Sequence, residues 1–312
     1  MQGRSPHAGY AMSMSFLKLI VLACVTMSAS APREIGSAPV ELTFMTFNIR
    51  YGTADDGPNS WTFRRDMVID RLHETDADVV GLQEALRFQL DEIREALPRY
   101  AEIGVGRDDG ATEGEYSAIL YRHERFGVAE SGTFWLSETP WEVGSRSWGN
   151  SITRICTWAR LIDLESGQGV YVFNTHLDHQ SQRSREESVE LIASRIALRG
   201  TDDPVILMGD LNAGEDNAAV EFLLGTRESA TGEDEHAASP GLIDTFRAVH
   251  PEATGVGTFS DFVFGRTGGA KIDHVMASRG VEVLEAGIDR ASRERRYPSD
   301  HFPVWARIRL QR

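Results

Sequence analysis

The sequence predicts one α/β domain, and three observations carry that prediction. From Glu41 onward, short apolar runs of β-type composition alternate with amphipathic segments. No internal repeat and no low-complexity linker divides the chain. With 312 residues and 41% hydrophobic content, the chain can bury a sizeable core as one large domain or as two small ones. A single domain over residues 41–312, behind a short linker at 32–40, is the simpler arrangement.

The elements follow in order. Residues 42–47 read as the first strand, and residues 79–82, 117–121, 170–173, 205–208 and 272–276 read the same way. These runs are apolar enough for buried central strands, and each ends where polar residues begin. A helix opens at Asn59 or Ser60 and runs to about Thr75, and another spans residues 86–96 before Pro98. A third is expected to start at Ser184, where Glu187 completes a capping box. Val189, Ile192, Ala193 and Ile196 give it one apolar face, and Gly200 fits its stop. Residues 227–240 are polar, acidic and rich in small side chains, which suggests an exposed loop.

Residues 1–31 have a different character. Arg4 and Lys18 are their only charged side chains, and residues 19–27 are apolar apart from Thr26. This layout predicts a secretory signal, with Met12 or Met14 as alternative starts and Ser28-Ala29-Ser30-Ala31 as the cleavage region. The apolar run is about half the length that a membrane span requires, so no transmembrane segment is expected in the mature chain. Val21-Leu22-Ala23-Cys24 roughly resembles a lipid-attachment box and gives a lipoprotein alternative. Either route exports the protein to the periplasm or the extracellular space.

Removal of that segment leaves Cys156 as the one cysteine, so the mature chain has no intramolecular disulfide. Within the alternating run Ile155-Cys156-Thr157-Trp158 it reads as a small buried hydrophobe. The formal charge of −15 falls to −17 when Arg4 and Lys18 leave. Such a surface repels polyanions at long range and argues against tight nonspecific binding of nucleic acid. Arg293, Arg295 and Arg296 could still bind a single phosphate group.

Strand after strand ends in a residue that can bind a metal or move a proton. Asn48 follows Phe47, Glu84 follows Gln83, His176 follows Thr175 and Asp210 follows Gly209. A fifth strand delivers Asp273, and Asp300-His301 opens the last. Taken singly, Asn48 is also a turn residue, Glu84 a helix-starting acid and His176 a half-buried histidine. The set is more informative, because buried carboxylates need a cation or hydrogen-bond donors to remain charged. Oxygen donors, with no Cys or His pair at zinc spacing, favour Mg²⁺, with Mn²⁺ or Ca²⁺ as alternatives.

Six segments carry a family resemblance: TFNIR (46–50), LQE (82–84), NTHLDH (174–179), GDLN (209–212), KIDHV (271–275) and SDHFPV (299–304). In this order and spacing, the chain resembles the endonuclease/exonuclease/phosphatase superfamily from Leu42 to Leu310. Residues 50–65, 114–122 and 131–140 look like a bacterial branch of metal-dependent hydrolases. The resemblance implies a deoxyribonuclease-like four-layer α/β sandwich, two mixed β-sheets face to face with helices outside. It also implies roles for the matching positions. Asn48 and Glu84 lie at the metal, with Asp300 nearby. Asp210 and Asn212 orient or deprotonate the attacking water. Asp273 holds His301 against a phosphate oxygen, and Glu115 does the same for His176.

The chemistry needs these residue types. A cation offsets the charge of the phosphate, carboxylates position the water, and a histidine held by a carboxylate stays cationic beside the phosphate. Arg154 is a candidate phosphate contact, with a surface salt bridge as its alternative. Tyr121 and Arg122 occupy a strand end that faces the site in relatives, which makes Tyr121 a candidate substrate contact, with an ordinary interfacial aromatic and a surface arginine as the alternative. Asp178, His179, Asp216 and Asn217 read equally as solvated loop residues or substrate contacts. Trp61, Trp135, Trp141 and Trp148 suggest a stacking platform, with core packing the commoner fate of tryptophan. The expected function is hydrolysis of a small or lipid-linked phosphoester by a monomer. A secreted nuclease and a catalytically silent binding module are the alternatives.

Overall fold

The computed structural model describes residues 39–227 and 238–310. Residues 1–31, read from composition as an export signal, most of residues 32–40 and most of the acidic stretch at 227–240 lie outside the described residues. Among the described residues, twelve strands form two six-stranded mixed sheets. The first sheet contains β1 (Val40–Asn48), β2 (Val79–Ala85), β3 (Tyr100–Ile103), β4 (Tyr116–Arg122), β11 (Glu282–Ile288) and β12 (Val304–Leu310), in the order β11-β12-β1-β2-β4-β3. The second contains β5 (Phe126–Trp135), β6 (Ile155–Asp163), β7 (Gly169–His176), β8 (Val205–Asp210), β9 (Ile243–Asp244) and β10 (Asp273–Ala277), in the order β5-β6-β7-β8-β10-β9.

Three apolar layers hold the sandwich. Leu42, Phe44, Val79 and Ile119 of the first sheet meet Val172, Ile206, Met208 and Val275 of the second in the central core. On the outer face of the first sheet, Met45, Phe47, Val80 and Leu82 pack on α1 (Trp61–Thr75) and α2 (Arg87–Ala96) through Val68, Leu72, Leu90 and Ile93. On the outer face of the second, Phe173, Val205 and Leu207 pack on α3 (Gln182–Ala197) and α4 (Ala218–Leu224). With side chains alternating across each strand and both faces covered, β1 has to read as a nearly unbroken apolar run. The four-layer α/β sandwich is therefore the observed fold. Among the described residues, no helix is long and apolar enough to cross a membrane.

A buried polar tie fixes the sheets against each other. Asn174 of β7 donates from Nδ2 to the carbonyls of Leu82 and Ala118 across the core, and its Oδ1 accepts from Gln83 Nε2 at 2.6 Å. A Cβ at Gly81 would come within 2.6 Å of Asn174 Oδ1, so glycine is needed for this approach. Gln83 and Asn174, which lie in two of the six motif segments, thus tie the sheets together, while Gln83 Oε1 has no hydrogen-bond partner.

Helix α1 begins at its expected place, with Ser60 as N-cap, and ends at Asp76 in the left-handed conformation. Helix α3 begins earlier than expected. Ser181 is its N-cap and accepts from Ser184 N, so Ser184 sits buried inside the first turn and the capping box at Ser184 and Glu187 is not formed. Two serines at this spacing compete for the cap, and the buried position of Ser184 decides between them.

Candidate active site

Strand direction gathers the site. Strands β1 and β2 are parallel, as are β7 and β8, so Asn48, Glu84, His176 and Asp210 all stand at carboxyl ends on one rim. Strand β10 runs antiparallel to β8 and pairs Asp273 directly with Asp210. The segment before β12 brings Asp300 and His301 to the same place, with His301 bridged to Phe259.

Asp210 is the hub. Its Oδ2 accepts from Asn48 Nδ2 at 3.0 Å and lies 3.5 Å from His176 Nε2 and 3.7 Å from His301 Nε2. Its Oδ1 accepts from Asn212 N at 2.9 Å. His301 Nδ1 lies 2.9 Å from Asp273 Oδ2, which turns Nε2 toward Asp210. Asn212 donates its amide to the Leu177 carbonyl and adopts a positive φ of 47°.

The second group contains Glu84 and Asp300. Glu84 Oε1 accepts from Asn48 Nδ2 at 3.1 Å and Oε2 from Tyr51 N at 3.1 Å. Glu84 has φ 59°, a left-handed conformation that costs a non-glycine residue about 1–2 kcal/mol. Asp300 Oδ1 accepts from Ser299 Oγ, while Oδ2 is 3.9 Å from Arg50 Nε. Burial raises the Asp300 carboxyl, Glu84 adds to the rise, and His301 and Arg50 oppose it. Two neighbouring carboxylates offering oxygen alone suit a hard divalent cation. The donor atoms of Asp210, Asp273 and His301 also lie within 4.8 Å of one another and form a second group able to hold one. Asn48, expected at the metal, faces Glu84 and Asp210 with its amide nitrogen, while its oxygen accepts from Arg50 N. It orders the carboxylates from that position.

The two histidines differ electrostatically. Burial alone would lower His301, but Asp273 and Asp210 outweigh it and raise the imidazole well above its ordinary value. Burial lowers His176 well below its ordinary value, and the charges of Arg154, Arg107 and His301 add to this. Burial pushes the Asp210 carboxyl up to about 7, with Asp273 adding to the rise and His301 opposing it. The surroundings therefore favour the cationic form of His301 and the neutral form of His176.

Glu115 reaches the site end of β4 but is held by Arg107, at 2.6 and 2.8 Å, and His176 Nδ1 has no partner. The guanidinium matches both carboxylate oxygens and wins the contest, so the pairing of Glu115 with His176 is not formed. Tyr121 pairs with Val79, at the opposite end of β2 from Glu84, because β4 runs antiparallel to β2. It packs against the central core, and Arg122 pairs with Asp76. Arg154 is only 3% exposed, which removes the surface salt-bridge alternative. It reaches His179 Nδ1 at 3.1 Å and Asp178 at 3.7 Å. Asp178 is buried and accepts from Gln180 N and Ser181 N, so it is no solvated loop residue. Asn217 caps α4.

Trp61 and Trp135 are buried, with their indole N–H groups on Glu92 and the Arg107 carbonyl, while Trp141 is exposed beside Phe134 and Arg195. These contacts account for three of the four tryptophans without a stacking platform. Arg293, Arg295 and Arg296 are engaged by Asp70, the Phe264 ring and the Pro58 carbonyl respectively. Sequence reasoning missed Arg107, which lies in an irregular loop without periodicity. Cys156 is buried and its thiol is pushed up by burial, in agreement with its reading as a hydrophobe.

This fold and rim define the class. The chain belongs to the endonuclease/exonuclease/phosphatase family, whose model matches residues 45–301. It is similar to an endonuclease/exonuclease/phosphatase from Bacteroides vulgatus, with 34% identity and a TM-score of 0.76 over 87% of this chain and 100% of that one. It is also similar to the mannosyl-6-phosphatase Bt3783 of Bacteroides thetaiotaomicron, with 33% identity and a TM-score of 0.73 over 86% of this chain and 99% of that one. A protein of Acanthamoeba polyphaga mimivirus, L388, is 26% identical over 163 residues, 50% of this chain and 60% of the viral protein. The chain thus spans less than two thirds of that relative's length.

Proposed function

We propose that this protein is a divalent-metal-dependent hydrolase of small phosphate esters. The observation that carries the reading is the convergence of Asp210, Asp273 and His301, with ligand atoms within 4.8 Å of one another, beside the Glu84 and Asp300 carboxylates. A hard cation held by Glu84 and Asp300 would neutralise phosphate charge and acidify a water molecule.

The chain's own groups supply the rest. His301, kept cationic by Asp273, donates a hydrogen bond from Nε2 to a phosphate oxygen. Asp210, pushed up to about 7, accepts the proton that the attacking water loses. Asn48 and Asn212 hold the Asp210 carboxylate in place. His176 offers Nε2 as a neutral donor on the other side of Asp210. The likeness to a mannosyl-6-phosphatase supports a sugar phosphate as the substrate. The formal charge of −15 supports a small substrate over a long polyanion.

Export is part of the proposal and rests on the composition of residues 1–31. The test is turnover with Mg²⁺ on a panel of sugar phosphates, inositol phosphates, sphingomyelin, duplex DNA and single-stranded RNA. A small ester should have the highest kcat/KM. DNA as best substrate by an order of magnitude, with a rate that falls steeply with salt, would establish a nuclease instead.

A further inference from the structure

Arg64 is a fully buried arginine whose donors end on backbone carbonyls. Its side chain leaves α1 and is 1% exposed. Nε donates to the Asn59 carbonyl at 2.9 Å, Nη2 to the Arg50 carbonyl at 2.8 Å, and Nη1 to the carbonyls of Ile49 and, at 3.3 Å, Pro298. The guanidinium is flanked by the Trp61 and Phe262 rings. Burial lowers it to about 10, so it remains a cation at neutral pH, and Asp300, Asp56 and Glu84 favour that charge. Burying such a charge is costly, and it needs an account.

A second buried side chain grips the same loop from α2. Gln89 is 0% exposed; its Nε2 donates to the Arg50 carbonyl at 3.1 Å, and its Oε1 accepts from Gly52 N at 2.7 Å and Leu86 N at 3.1 Å. The Arg50 carbonyl therefore receives two side-chain donors. Its residue has φ 56°, a conformation that surrounding structure must enforce. A Cβ on Gly52 would meet Gln89 Cδ at 2.7 Å, so the loop lies directly on the amide.

The gripped loops carry the carboxylate chemistry. Tyr51 N, one residue beyond Arg50, donates to Glu84 Oε2, and Arg50 N donates to Asn48 Oδ1. Pro298 leads into Ser299, whose Oγ donates to the Asn48 carbonyl at 2.7 Å and to Asp300 Oδ1 at 3.0 Å. Arg64 thus joins the segment after β1 to the segment before β12, and Gln89 joins the segment after β1 to the segment after β2.

We infer that Arg64 and Gln89 are positioning residues that preorganise Glu84 and Asp300 for a divalent cation by locking these three loops together. The inference rests on the proposed metal dependence. Neither side chain offers an atom to the ion. Their effect is to hold two carboxylates at a fixed separation before the ion arrives. Loss of such outer partners typically weakens metal binding by about 10–100-fold.

The experiment measures the dissociation constant of Mn²⁺ by electron paramagnetic resonance on wild type, Arg64→Lys and Gln89→Met, with Tm recorded for each metal-free protein. Lysine retains the charge but cannot reach four carbonyls. Both variants should bind Mn²⁺ about tenfold or more weakly while remaining folded. Should Arg64→Lys fail to fold, Gln89→Met decides alone. A lowered Tm with unchanged Mn²⁺ affinity would show ordinary stabilising residues and overturn the inference. Wild-type protein that binds no Mn²⁺ would overturn it together with the metal reading.

Discussion

Asn48 Nδ2 and Asp210 Oδ2 lie 3.0 Å apart although they end strands of different sheets, and the same nitrogen lies 3.1 Å from Glu84 Oε1. One amide therefore ties Asp210, the proposed proton acceptor, to Glu84, the proposed ligand of the cation. Asn48→Ala should lower kcat by about 10²–10³-fold, the usual cost of removing a preorganised donor. Asn48→Asp should be at least as poor, because it places a third carboxylate against the other two. Activity of Asn48→Asp above that of Asn48→Ala, measured as kcat/KM, would remove the bridging role.

His301 Nδ1 and Asp273 Oδ2 lie 2.9 Å apart, and the two residues are expected to act as one unit. His301→Ala and Asp273→Ala should each lose about 10²–10⁴-fold in kcat. The double variant should be little worse than either single one. Multiplicative losses in the three variants would show independent roles.

The left-handed backbone of Glu84, at φ 59°, separates its structural cost from its function. Glu84→Ala and Glu84→Gly should both lose turnover, and the glycine variant should be the more stable by about 1 kcal/mol. Equal urea midpoints for the two variants would contradict the strain.

The sequence discloses central strands and conceals edges. Strands β1, β2, β7 and β8 are buried on both faces, so their apolar runs are visible and their polar ends stand out. The edge strands β5 and β11 are only partly buried and carry mixed composition, which leaves no periodic signal. Asp273 and His301 meet at hydrogen-bond distance, as the motifs imply, because each is fixed by a strand or its immediate flank. Glu115 and Tyr121 show the limit. A strand can be read from composition without its direction, which sent Tyr121 to the wrong end. The partner of Glu115 depended on Arg107, a loop residue with no pattern to announce it.

Lys271 is fully buried and lies 2.6 Å from Asp244 Oδ2 and 2.7 Å from His274 Nδ1. Burial would raise the Asp244 carboxyl, but Lys271 and His274 outweigh it and hold it well below the usual carboxylate range. A depressed carboxylate stabilises the fold above its unfolded pKa of about 3.9, and that contribution is lost as pH falls toward the folded value. Lys271→Met should cost about 3–5 kcal/mol at pH 7, the cost of stranding a buried charge. Between about pH 4 and pH 2 its stability should also fall less steeply than that of wild type. Urea midpoints across that range check both parts, and parallel curves would contradict the second.

Metal-dependent phosphoester hydrolysis is tested by phosphate release from mannose 6-phosphate with wild type and Glu84→Ala, each with Mg²⁺ and with excess chelator. Wild type with Mg²⁺ should turn over, and the other three cases should lose about 10³-fold or more, the range expected when a Lewis acid is removed. Full activity in chelator, or in Glu84→Ala with Mg²⁺, would contradict the metal dependence.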